Sequence, residues 1–330
     1  MTGANMKPVV LAIDLGGTKI ISALILSDGE IMAEERHLTL AEEGQASVTK
    51  RLFSAIDHLL ELKDMEPSEL GGISIAAAGG IDISRGLVTS SPHLPGWHNV
   101  PLRDMVRERY RVSAFLLNDA SAAALGEHRF GAGRGIENLI LLTIGTGIGG
   151  GIIIEGRLYQ GPAGSAGEIG HMTIDVNGPR CTCGNVGCLE RLVSGPVMAE
   201  EARRRLARGE KSAMLEMVAG RIEEVTAEEI GVAARSGDSL AQDIITKAAT
   251  YLGVGLVNLV NIFNPQMIII GGGVGKLGEL LLGPARRIVQ ERAFQVSAEM
   301  VRIVPAELGD AAGVLGAAAF AFAQLNRRIC

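Results

Sequence analysis

One pattern constrains this chain more than any other, and it occurs twice. Val9–Ile13 is a short apolar, β-branched run that meets Gly16-Gly17 and resumes as Ile20–Leu26; much further on, Leu139–Ile144 meets GTGIGGG and resumes as Ile152–Ile154. Apolar β-branched runs on either side of a glycine turn read as paired strands. Glu30–Leu40 can add a third strand to the first pair. The repetition predicts an internally duplicated chain whose two halves each begin with a β-meander.

The segments between these openings alternate in period. Helices are expected over Gln45–Lys63 and Leu102–Arg109 and from Ser121, with strands at Gly72–Ala77 and Ala114–Leu117. In the second half, helices are expected over Gly195–Arg208, Thr226–Ala234 and Ser239–Phe263. A strand at Met267–Ile270, a helix after GGGVG, a strand at Val301–Val304 and an Ala-rich helix from Asp310 follow. Alternation of this kind defines an α/β chain with two mixed sheets. At 330 residues the chain exceeds the size at which one core usually stops growing. The expected division is a small N-terminal α/β domain over 1–120 and a larger one over 121–310. The helix at about 311–330 is expected to pack back on the first domain. No low-complexity linker separates the halves, so they are expected to face each other across a cleft.

A net charge of −6 offers no basic face for a phosphate backbone, which argues against nucleic acid as a partner. The opening MTGANMKPVVLAIDLGG has neither a signal-peptide pattern nor an apolar run of membrane-spanning length, and the cysteines cluster rather than spread. A cytoplasmic protein with a small ligand and no membrane partner is expected. The 44 glycines against 11 prolines point to close backbone approaches.

Gly145–Gly150 satisfies G-x-G-x-x-G, but a dinucleotide fingerprint needs a helix to start at the glycines, and GIIIEG is strand-like. Nor is there a Walker A loop, because Gly275-Lys276 is followed by Leu277. A glycine hairpin between strands can still cradle phosphate with inward N–H groups, and Asp14-Leu15-Gly16-Gly17-Thr18-Lys19 adds a carboxylate suited to Mg²⁺, a hydroxyl and an ammonium. The alternative is a pair of ordinary tight hairpins.

His171, Cys181, Cys183 and Cys188 give H-x9-C-x-C-x4-C, three thiolates and an imidazole that complete a tetrahedral Zn²⁺ shell with no place for a catalytic water. A structural site is therefore expected, while Cys330 at the terminus is read as incidental. Asp119 follows a buried strand and precedes Ala-Ser-Ala-Ala, which locally reads as a helix N-cap. Trp97 reads as either a loop-lining residue or a packing anchor.

DLGGTK at 14–19, LND at 117–119, TIGTGIGGG at 143–151, EIGH at 168–171, CTCGNVGCLE at 181–190 and IIIGGGV at 268–274 together resemble the ROK family of sugar kinases and sugar-responsive repressors. The resemblance covers nearly the whole chain. It implies an actin-like ATPase fold of two ribonuclease H-like domains around a cleft. The implied reaction is ATP- and Mg²⁺-dependent phosphorylation of a hexose hydroxyl, foremost glucose to glucose 6-phosphate. Asp119 would be the general base and Asn118 a sugar ligand, with Gly79, Glu168, His171 and Glu190 completing the substrate site. Asp14, Gly16, Gly17, Thr18, Lys19, Thr146, Gly147, Gly272 and Gly273 would hold the nucleotide, with polyphosphate open as an alternative donor. A homodimer or homotetramer is also implied.

Two positions depart from the family's pattern. Ala78 stands where proline is usual in the turn after the fourth strand, and His93 stands where asparagine is common in the sugar-side loop. These leave N-acylmannosamine kinase and fructokinase as alternatives within the family. A non-catalytic sugar-sensing regulator is the alternative of another class. Such regulators carry a helix-turn-helix ahead of the kinase-like part, for which a first strand near residue 8 leaves no room.

Overall fold

The computed structural model describes residues 8–327, so Cys330 and the last three positions of the helix expected over 311–330 lie outside the described residues. Among the described residues, thirteen strands occur in the order β1 (Val9–Leu15), β2 (Lys19–Leu26), β3 (Ile31–Leu38), β4 (Leu70–Ala77), β5 (Gly80–Asp82), β6 (Leu87–Ser90), β7 (His98–Val100), β8 (Ala114–Asn118), β9 (Leu139–Ile144), β10 (Ile148–Ile154), β11 (Arg157–Tyr159), β12 (Met267–Gly271) and β13 (Arg302–Pro305). The first five-stranded sheet runs β3-β2-β1-β4-β8 and the second β11-β10-β9-β12-β13. In the first, β1 pairs antiparallel with β2 and parallel with β4, which in turn is parallel to β8. In the second, β12 lies parallel to both β9 and β13. The two sheets thus share one strand plan, the α/β architecture with mixed sheets expected from the repeated glycine hairpins.

The alternation of side chains along β1 explains how the first sheet is covered on both faces. Leu11, Ile13 and Leu15 enter one core with Leu52, Ile56 and Leu59 of the helix Gln45–Leu62. Val10 and Ala12 enter the other core with Val314, Ala317, Ala318 and Ala321 of the helix Ala312–Arg327. Burial of both faces is why β1 and β2 read as continuous apolar runs rather than alternating ones. The second core is built from small residues because the helices Ala312–Arg327 and Asp119–Phe130 approach closely. A Cβ on Gly316 would stand 1.6 Å from the Ala122 carbonyl oxygen.

Contacts divide the chain into two compact units. One takes the residues up to Glu137, Gly151–Gly167 and the segment from Glu307 onward; the other takes Asn138–Gly150 and Glu168–Ala306. In the second unit the long helix Ser239–Phe263 packs chiefly on Glu279–Arg292, and β12 is buried along its whole length. Ser239–Phe263 is long and apolar enough to cross a bilayer, but its Leu252, Leu256, Leu259 and Val260 are consumed by the core.

One feature escapes the sequence reading, and one open alternative is decided. The strands β5, β6 and β7 form a small antiparallel sheet of their own, with only three or four residues each. Trp97, beside that sheet, is fully buried, which settles it as a packing anchor.

Candidate functional site

In the first unit, the parallel register brings three strand ends into one row: Leu15 of β1 faces Ala77 of β4, and Ala77 faces Asn118 of β8. Asn118 in that row and its neighbours Asp14, Gly79 and Asp119 therefore gather at one end of the strands. Carboxyl ends of parallel strands are where open α/β sheets place their ligands. Between β1 and β2, Gly16 N–H donates to the Lys19 carbonyl at 3.0 Å, and the Thr39 hydroxyl donates to the Gly16 carbonyl at 2.7 Å. Gly17 is pressed against His93, where a Cβ would stand 2.7 Å from the histidine Cβ. No larger residue fits that turn without moving the 91–97 loop.

Asp14 is half-buried near the end of β1. Burial first, then the charge of Asp119, push its carboxyl up to about 7, while Lys19 pulls in the opposite direction. Lys19 in turn donates to Asp310. The Asn118 side chain caps the helix Asp119–Phe130 by accepting from Ser121 N–H at 3.1 Å, so the cap is Asn118 and Asp119 is the first helical residue. Asn118 Nδ2 donates to Asp119 Oδ1 at 2.9 Å and to the Gly79 carbonyl at 3.2 Å. Asp119 Oδ1 also accepts from Ala120 N–H at 2.9 Å. Burial raises the Asp119 carboxyl above its ordinary range against the opposing pull of that N–H, His93 and Asn118. The result is a carboxylate fixed in orientation and made more basic.

Gly79 adopts φ +110°, and a Cβ there would meet the Ser90 carbonyl at 2.4 Å, so only glycine serves. The preceding residue explains one departure from the family's pattern. Ala78 N–H donates to the Leu15 carbonyl at 3.1 Å, a bond that proline could not make.

In the second unit, Gly145 N–H donates to the Gly147 carbonyl and closes the turn between β9 and β10, with Thr146 exposed at its tip. Gly272 follows β12 at φ +81°, where a Cβ would meet the Ile144 carbonyl at 2.4 Å. The parallel pairing of Gly271 with Thr143 thus brings Gly272 beside the glycine turn. Gly273 has open space around its Cα. Glu190 Oε2 accepts from Ile148 N–H at 2.9 Å.

His171, Cys181, Cys183 and Cys188 bring their ligand atoms within 4.8 Å of one another. His171 Nδ1 lies 3.8 Å from Cys181 Sγ, and Cys183 Sγ lies 3.7 Å from Cys188 Sγ. A tetrahedron with metal–sulfur bonds of about 2.3 Å has edges of about 3.8 Å, so this donor set fits Zn²⁺. Against burial, which opposes ionisation, the Cys183 N–H and the neighbouring thiols hold Cys181 down to about 7, while burial pushes Cys188 up. His171 Nε2 points away from the cluster, 3.9 Å from Glu168 Oε2. Glu168 is exposed and half-buried His171 separates it from the sulfurs.

Sequence reasoning missed two participants. Asp310 binds Lys19 of the first hairpin across 291 residues. Glu127, fully buried, accepts from Ala132, Glu307 and Leu308 N–H and so ties the Asp119 helix to the segment that carries Asp310. The only local signal for Asp310 is its place at the start of an Ala-rich helix.

Two five-stranded mixed sheets with the same strand plan, each with a glycine hairpin between its first strands, have the architecture of the actin-like ATPase class. Within that class the chain belongs to the ROK family, whose model matches residues 10–324. It is 39% identical to a glucokinase of Thermotoga maritima over 315 residues, 94% of this chain and 96% of that one. It is 34% identical to a xylose repressor of Caldicellulosiruptor bescii over 316 residues, covering 96% of this chain and 78% of the repressor. Among solved structures, the ROK family glucokinase from Streptomyces griseus in complex with glucose and AMPPNP superposes with a TM-score of 0.83 at 34% identity, covering 96% of this chain and 99% of that one.

Proposed function

We propose that this protein is an ATP-dependent hexose kinase that transfers the γ-phosphoryl group to a sugar hydroxyl, with glucose the foremost acceptor and glucose 6-phosphate the product. The observation that carries the reading is Asp119. Its Oδ1 is held by Asn118 Nδ2 and Ala120 N–H, and burial raises its proton affinity. Phosphoryl transfer asks the protein for little covalent chemistry; it needs positioning, charge stabilisation and a base that accepts the hydroxyl proton. Asp119 takes that proton, and Asn118 orients neighbouring hydroxyls from the Gly79 turn.

Glu168, His171 and Glu190 complete sugar recognition. Carboxylates that must accept from hydroxyls reject ligands lacking them, so this group governs choice of sugar. The glycine turns at 16–19 and 145–147, with Gly272 and Gly273, hold the phosphates through backbone N–H groups, and Lys19 exchanges Asp310 for phosphate. Mg²⁺, held from Asp14, would neutralise phosphate charge. Zn²⁺ held by His171, Cys181, Cys183 and Cys188 would brace the loop that carries Glu190. A cytoplasmic homodimer or homotetramer completes the reading.

The test is a coupled ADP-release assay over glucose, mannose, fructose, N-acetylmannosamine and N-acetylglucosamine, with ATP and polyphosphate as donors. Glucose with ATP is expected to give the highest kcat/KM, and Asp119→Ala to lower kcat at least a hundredfold with sugar binding retained. Near-normal turnover by that variant would show the base to be elsewhere. The likeness to a xylose repressor supports one competing reading, a sugar sensor without catalysis. Sugar binding with no ADP release from any donor would favour it.

A further inference from the structure

Glu190 opens the short helix Glu190–Val193, and its side chain reaches back to the turn between β9 and β10. Oε2 accepts from Ile148 N–H at 2.9 Å. The same oxygen covers Gly147, where a Cβ would stand 2.5 Å from it. Gly147 does not have a positive φ, so the backbone itself does not demand glycine there. The carboxylate does. Gly145 N–H closes the turn on the Gly147 carbonyl, and Gly195 N–H donates to the Gly145 carbonyl. Among the described residues no hydrogen bond reaches Glu190 Oε1.

The main chain beside Glu190 belongs to the opposite loop. Leu189 N–H donates to the Met172 carbonyl at 2.9 Å, and Cys188 bridges to Thr173, so Glu190 is carried by the segment that holds His171. One carboxylate is therefore shared between two loops that were assigned separate tasks.

We propose that Glu190 is a positioning residue for the nucleotide. Its Oε2 fixes the Gly147–Ile148 turn that meets the phosphates, and its Oε1 is left to accept a sugar hydroxyl. This rests on the kinase reading given above. A hydrogen bond to an ionised acceptor holds a glycine-rich turn that otherwise loses entropy on binding, so its removal should weaken nucleotide binding about tenfold.

The experiment measures dissociation constants of the intact enzyme by calorimetry, for Mg-AMPPNP without sugar and for glucose without nucleotide. Glu190→Ala is expected to weaken both ligands about tenfold or more. Glu190→Gln keeps one oxygen for Ile148 N–H but presents an amide that cannot accept a hydroxyl proton. It should weaken glucose while holding Mg-AMPPNP within about twofold. A merely structural role would not separate the ligands in this way. Should Glu190→Ala fail to fold, Gly147→Ala drives the carboxylate off Ile148 with Glu190 intact and is expected to give the same nucleotide loss. Unchanged Mg-AMPPNP affinity in folded Glu190→Ala or, where that variant does not fold, in folded Gly147→Ala overturns the proposal. Failure of the unmodified protein to bind Mg-AMPPNP at all would instead remove the kinase reading on which it rests.

Discussion

The Asp14 carboxylate lies so close to Gly313 that a Cβ on that glycine would stand 2.3 Å from Oδ2 and 2.7 Å from Cγ. Gly313 is the second residue of the helix Ala312–Arg327, a place where alanine ordinarily stabilises by up to about 1 kcal/mol. Here the added methyl must displace Asp14. Gly313→Ala is expected to lower kcat at least tenfold, with a net stability change no larger than about 2 kcal/mol because the helix gain offsets part of the overpacking. Turnover and thermal unfolding measured on one preparation check it; unchanged turnover would show that Asp14 does not serve the reaction from this position.

Asp14 also gives the fold a pH dependence whose sign can be worked out. Its carboxyl is raised from 3.8 to about 7, so the folded state prefers the protonated form. The associated stability is fully present below pH 3.8 and is lost as pH rises through about 7. Asp14→Asn removes the titration. In the absence of metal and nucleotide it is expected to match the parent near pH 4 and to exceed it above pH 7, by at most roughly 4 kcal/mol. Denaturant midpoints across that range test this; a variant less stable than the parent at pH 8 would reverse the assignment of burial as the dominant cause.

The hairpins, the Asn118-Asp119 pair and the cysteine cluster were legible in the sequence because each is carried by residues near one another in the chain. The helix begins two positions before the expected Ser121, and its cap lies one position before Asp119: Asn118 and Asp119 are both good caps, and the choice was made by Ser121 N–H meeting Asn118. The small sheet β5-β6-β7 was invisible, since its strands are too short to display a period and are broken by glycine, serine and proline. Asp310 and Glu127 were invisible for another reason. The partner of Asp310 lies 291 residues away and two of the three partners of Glu127 about 180, and beyond the place of Asp310 before an Ala-rich helix the local sequence does not mark either as more than a surface acid.

Glu127 offers a test of that long-range organisation. Three backbone N–H groups converge on its buried carboxylate, from Ala132, Glu307 and Leu308 at 2.8–2.9 Å. Glutamine can accept with one oxygen only and turns an N–H₂ towards a donor. Glu127→Gln is expected to cost roughly 2–4 kcal/mol, and Glu127→Ala no less, because buried donors are stranded. Amide hydrogen exchange should quicken at Leu308–Asp310 before the rest of the first unit. Protection there equal to the parent's would mean that the carboxylate is not what holds the segment.

Zinc and sugar recognition can be separated from nucleotide binding by removing the metal. Cys188 and Glu190 are two residues apart, and His171 offers Nδ1 to the sulfur cluster while Nε2 faces Glu168, so the three groups proposed to meet the sugar depend on one set of ligands. Of these three, Glu190 alone hydrogen-bonds the turn between β9 and β10, the turn proposed to hold the nucleotide. The protein as purified is expected to hold one zinc per chain by elemental analysis. Chelation, or His171→Ala, is then expected to raise the sugar KM more than tenfold and the ATP KM less, with a lowered Tm. A folded, zinc-free protein whose sugar KM is unchanged would separate the cysteine loop from recognition altogether. A rise in ATP KM alone would instead place the metal's influence on the glycine turn.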